Sequence, residues 1–164
     1  MKNQQQVFVT MALSAWESHI KRADKLFDGL TDAQLSHEVS PGRNSGIYLL
    51  GHLIAVHDAI PVFLGSGGRV YPQLDVAFVS NSDKSGFAIP AANDLRTYWR
   101  EVNSRIAKHI STMHEEEWFK KHTAVSEADF AKEPQRNKLN ILVNRTNHLS
   151  YHLGQLMLLA SKNG

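Results

Sequence analysis

The sequence predicts an all-α fold, a four-helix bundle, on three observations. Apolar residues recur at three- and four-residue intervals in four separate stretches, the signature of amphipathic helices. No alternating apolar–polar run of strand length appears; Val76–Val79 is the only candidate, and it is short. Of the 164 residues, 42% are hydrophobic and 21% charged, which suits one domain over 1–164 with a buried core.

The first stripe is Val9, Leu13, Trp16, Ile20, Ala23, Phe27 and Leu30, with a stop at Gly29–Leu30. Thr31 and Asp32 then read as the cap of a short extra turn. Behind Lys2, Val7–Ala15 has the look of a signal-peptide core, but the spacing runs unbroken to Leu30, as in a structural helix. The second helix starts after Pro41–Ser45 and runs to about Leu64, with Pro61 bending its last turn. Leu49, Leu53, Val56, Ile60 and Phe63 form one stripe that includes His52, and Leu50, Ile54 and Leu64 form another. A helix apolar over most of its circumference belongs at the centre of a bundle or at a subunit contact. Its small face, Gly51, Ala55 and Ala59, admits a close neighbour from either source.

Leu95, Tyr98, Trp99, Val102, Ile106, Ile110 and Met113 make the third stripe, with Asn93 or Asp94 as caps. The fourth is Leu139, Leu142, Thr146, Leu149, Leu153, Leu156 and Ala160. That helix, at ~1.5 Å per residue, is roughly 33 Å long, a suitable strut for a bundle. Long connections separate helices two and three (65–90) and helices three and four (114–136). Connections of this length either cover functional sites or serve as crossovers.

Composition removes several function classes. Cysteine is absent, which excludes disulfides, thiolate zinc sites, iron–sulfur clusters and a cysteine nucleophile. A net charge of +2, with basic doublets at Lys21–Arg22 and Lys120–Lys121 only, supplies no stripe that tracks phosphates, so no nucleic-acid partner is expected. The longest apolar stretch, Ile47–Val56, is interrupted by Gly51 and His52 and falls short of the ~20 residues of a membrane span. A cytoplasmic protein with no membrane partner is the expectation.

Nine histidines are the outstanding compositional feature. His148 and His152 stand four apart on the fourth helix and project from one face, on the flank of the Leu142/Leu149/Leu156 stripe. Imidazoles at a core boundary have nitrogens to satisfy, and one metal ion satisfies two at once. His52 lies likewise in an apolar stripe, so adjacent second and fourth helices would converge three imidazoles on one divalent ion. Three histidines with a position left open is the layout of a catalytic zinc site rather than a closed structural one. Ordinary buried histidines bonded to backbone or water are the other reading. His57 rivals His52 as third ligand; five residues place them about 140° apart on a helix, so both cannot face one ion. Periodicity does not choose between them.

Other layouts fail. There is no Glu-x-x-His for a di-iron bundle, and His37-Glu38 and His114-Glu115 lack the second histidine of a zincin helix. Gly65–Gly68 is not followed by the Lys-Ser/Thr of a P-loop. His19, His109 and His122 read as surface or rim residues, and Trp16 and Trp99 as core.

With Gly51-His52-Leu53 and Asp58 on the second helix, and His148-Leu149-Ser150-Tyr151-His152-Leu153-Gly154-Gln155 on the fourth, the chain resembles the DinB-like family of metal-binding four-helix bundles over essentially its whole length. The resemblance implies an up-up-down-down bundle, a homodimer, and a triad of His52, His148 and His152 binding a divalent metal such as zinc or nickel. It also selects His52 over His57. Many members carry a basic residue where this chain has Leu153, which puts a substrate-carboxylate contact there in doubt. Characterised relatives include bacillithiol S-transferases and mycothiol-dependent maleylpyruvate isomerase. The function expected by likeness is therefore a metal-dependent transferase that joins a low-molecular-weight thiol to a small-molecule electrophile. Asp58, Asn144, Asn147 and Gln155 are the candidates for orienting the imidazoles. Tyr151 or the 65–90 connection is the candidate for substrate contact. A metal-dependent hydrolase, for which no carboxylate base is evident, and a non-catalytic metal- or ligand-binding bundle are the alternatives.

Overall fold

The four stripes become four long helices in the computed structural model, which describes residues 4–161. They are α1 (Gln4–Gly29), α3 (Gly46–Asp58) with its continuation α4 (Ile60–Leu64), α6 (Ala92–Ile110) and α8 (Lys138–Ala160). Short helices α2 (Asp32–Ser36), α5 (Leu74–Phe78) and α7 (Glu127–Lys132), with a 3-10 turn over Glu115–Phe119, lie in the connections. Among the described residues there are no strands, only isolated bridges between Glu38 and Ser45 and between Lys121 and Asn137. The strand candidate Val76–Val79 therefore falls largely within α5.

Local chemistry explains the boundaries. Thr31 caps α2 in a full capping box: the Gln34 amide donates to the Thr31 hydroxyl, and the Thr31 amide to Gln34 Oε1. Ser45 caps α3 and Asn137 caps α8, each accepting an amide three residues on. Pro61 does more than bend a turn. The helix breaks at Ala59, and Pro61 sits in the first turn of α4, where a missing N–H costs nothing. Neither Asn93 nor Asp94 caps α6: Ala91 holds that position without a side-chain bond, and Asp94 lies in the first turn, where its charge favours the helix dipole.

Each long helix packs on two others, α1 and α3 both lying between α6 and α8. One end of the bundle collects the C-terminal ends of α1 and α8 with the N-terminal ends of α3 and α6. There Arg96 donates to the Phe27 and Leu30 carbonyls, Gln34 donates to the Leu159 carbonyl, and the Leu159 side chain abuts Gly46. At the other end Phe63 of α4 faces Arg145, and Leu13 of α1 shares a groove with Ile110. The directions are thus up-down-down-up, in place of the expected up-up-down-down. The short segment 30–45 returns α3 antiparallel to α1, whereas the long connection 65–91 carries the chain back so that α6 runs parallel to α3.

The core is continuous through the bundle, with Phe27, Leu49, Leu53, Ile54, Trp99 and Leu149 all buried. Trp16 and Trp99 are core side chains, as their spacing predicts. Gly46–Leu64 is long and apolar enough to cross a membrane, yet it is broken at Ala59 and packed by α5, α6 and α8. The connections are anchored too. Leu74 and Phe78 of α5 and Trp118 of the 3-10 turn are buried. Asp58, at the end of α3, accepts the Val70 and Tyr71 amides and the Arg69 guanidinium, and Arg69 also pairs with Asp75.

Candidate metal centre

Antiparallel packing of α3 on α8 sets His52 opposite His148 and His152. One helical turn separates the latter two, so both rings leave α8 on the same side. His148 Nε2 lies 3.1 Å from His52 Nε2 and 3.1 Å from His152 Nε2. The rings do not stack; they meet at interplanar angles of 61°, 76° and 87°, which turns three nitrogen edges toward a common point.

The outer nitrogens decide what the inner ones can do. His52 Nδ1 stands 2.7 Å from the Phe78 carbonyl, which can only accept, so the proton of a neutral ring is on Nδ1 and Nε2 presents a lone pair. His152 Nδ1 donates in the same way to Gln155 Oε1 at 2.7 Å, and the Gln155 amide nitrogen is turned to the Tyr151 hydroxyl at 3.4 Å. Two lone pairs therefore face His148 Nε2. That ring can give a proton to one of them at most, and its own Nδ1 is buried without a partner among the described residues. Protons alone leave the cluster unsatisfied.

A divalent cation would accept all three lone pairs. Two nitrogens ~2.0–2.1 Å from a tetrahedral zinc stand about 3.3 Å apart, close to the spacing observed. All three candidate ligand atoms lie within 4.8 Å of one another. Protonation is also suppressed, as ligation requires. Burial pushes the His148 imidazole down to about 4, helped by the neighbouring His152, His52 and Arg145. Burial lowers His152 as well, against the opposing effect of Gln155. The residues present fit a metal ion.

The remaining sequence candidates divide. Gln155 is joined to the trio through His152. Asn144 and Asn147 are exposed on α8, and neither bonds an imidazole of the trio. Asp58 is occupied with Arg69 and the start of the 65–91 connection, so its task is to anchor that segment. His57 is fully buried between Trp16 and Trp99, each ring centre 5.0 Å away, and its Nδ1 is 2.8 Å from Asn103 Oδ1. It takes no part in the cluster. Tyr151 is exposed with its ring 5.1 Å from that of His152.

Phe78 is the contributor that sequence reasoning missed. A main-chain carbonyl leaves no mark in a motif, but Gly51 gives an indirect one. A Cβ on Gly51 would stand 2.3 Å from the Phe78 ring. The small face of α3 is thus used within the chain: Gly51 seats α5, and α5 delivers its carbonyl to His52.

An all-helical bundle that brings three imidazole nitrogens to one point from two antiparallel helices defines a class, the helical-bundle proteins with a three-histidine centre. The chain belongs to the DinB superfamily, whose family model matches residues 15–156. Among curated proteins, none matches it.

Proposed function

We propose that this protein is a metal-dependent enzyme of the thiol S-transferase type. The observation that carries the reading is the convergence of three Nε2 atoms whose protons are held elsewhere or suppressed by burial. His52, His148 and His152 would hold a divalent ion, with zinc and nickel suited to an all-imidazole set. Such an ion supplies positive charge that lowers the pKa of an incoming thiol.

The chain's own residues do the positioning. The Phe78 carbonyl and Gln155 fix two rings in the tautomer that ligates, and so hold donors aimed at one point before any ion arrives. Three protein ligands leave a tetrahedral ion with a position for a substrate. Absence of cysteine suits this chemistry, because no internal thiolate competes for that position. Hydrolysis is less well supported: among the described residues no carboxylate joins the cluster to serve as general base, and Asp58 is engaged elsewhere.

The test is incubation of zinc- or nickel-loaded protein with a small thiol and chlorodinitrobenzene, followed by the thioether product. Transfer above the uncatalysed rate that disappears in His148→Ala supports the reading. No transfer with several physiological thiols contradicts it. Ester cleavage without thiol would favour the hydrolase.

A further inference from the structure

Arg145 stands three residues before His148 and seven before His152, so it projects from the same face of α8. Its side chain is half-buried, and Nε has no hydrogen-bond partner among the described residues. Its guanidinium carbon lies 5.8 Å from the centre of the Phe63 ring, at the outer limit of a cation–π interaction. The other arginines are treated differently. Arg69, Arg96, Arg100 and Arg136 each pair with a carboxylate, and Arg22, Arg43 and Arg105 are exposed.

A guanidinium partly withdrawn from water, with its Nε buried, costs free energy unless an anion faces it. Burial alone acts on Arg145, pulling its pKa below the ordinary value, whereas Asp75 and Asp58 raise that of Arg69. One helical turn of α8 separates it from His148, which sets it beside the three-histidine centre. The position directly after His152 is Leu153, a buried side chain, so no cation stands there.

We propose that Arg145 is the anion-recognition residue of this centre and binds the carboxylate of a small organic acid whose other end lies at the three histidines. The proposal rests on the trio as a metal site. Arginine matches a carboxylate bidentately, and a charge-assisted pair in a partly desolvated site improves binding by about tenfold or more. The carboxylate can belong to the thiol or to its acceptor.

The experiment loads the protein with cobalt(II) and follows its visible absorption and, by calorimetry, the binding of matched probes. One pair is 3-mercaptopropionate and 3-mercaptopropanol; the other is succinate and succinamide. About tenfold tighter binding of 3-mercaptopropionate than of the alcohol, lost in Arg145→Met and partly kept in Arg145→Lys, places the carboxylate on the thiol. The same preference for succinate over succinamide, lost in Arg145→Met, places it on the acceptor. Either supports the proposal, and the cobalt spectrum of each variant shows whether its centre is intact. Loaded wild-type protein with neither preference, or a preference that survives in Arg145→Met, overturns the role of Arg145 and leaves the metal site standing. No cobalt uptake by wild-type protein overturns both.

Discussion

The ring of Phe78 rests on Gly51, and a single added carbon there would lie 2.3 Å from it. The same residue's carbonyl receives the Nδ1 proton of His52, the next residue along α3. A close helix-to-helix approach and the tautomer of a candidate ligand ring are thereby one structural unit. Gly51→Ala is expected to destabilise the fold by ~1–3 kcal/mol, the usual cost of overpacking. Metal affinity should fall with it as α5 is displaced. Thermal unfolding and a zinc titration read the two effects; a loss of stability with unchanged affinity would separate them.

Gln155 tests the orienting bond without touching a ligand atom. Gln155→Leu removes the acceptor for His152 Nδ1, and metal affinity is expected to drop about 10- to 100-fold with little change in helix content. Gln155→Glu, which keeps an acceptor, should recover most of it. Competition with a chelating dye measures both.

The four helical stripes were legible because burial of one face imposes a three-to-four-residue period whatever the helices do next. His148 and His152 were legible for the same reason, since a spacing of four fixes a shared face. Choosing between His52 and His57 was not a matter of period. It depends on which side of α3 meets α8, and the side carrying His57 meets Trp16 and Trp99. Helix direction was hidden too, because the length of a connection does not say which end of the bundle it returns to. Asp58 beside a histidine motif looked like an orienting group, but its partners are amides of a loop whose course no local pattern encodes.

Asp58 should therefore behave as a structural residue. Asp58→Ala leaves the Arg69 guanidinium and two loop amides short of an acceptor, and a cost of ~2–4 kcal/mol is expected in denaturant unfolding. Zinc affinity of the remaining folded protein should be nearly unchanged. A selective loss of affinity at intact stability would return Asp58 to the site.

His57 gives a pH signature. Burial foremost, reinforced by His148, Arg145 and His52 and opposed by Asn103, holds it at about 3 against an ordinary value of 6.5. Below pH 6.5 the unfolded chain takes up a proton that the folded chain refuses until about pH 3. The contribution is fully present above 6.5 and is lost as pH falls through this window, at on the order of 1 kcal/mol per pH unit. His57→Gln, which does not titrate but can still donate to Asn103, should make that slope shallower in metal-free protein and leave the part that His148 and His152 contribute. An unaltered slope between pH 6.5 and 4 would contradict the assignment.

Metal content after loading and dialysis decides whether the three-histidine centre exists as a ligand set. Elemental analysis should give about one zinc or nickel per chain for the wild type and almost none for His52→Ala and His148→Ala. His57→Gln should retain the full amount. Equal metal content in wild type and both alanine variants, or none in the wild type, would contradict it.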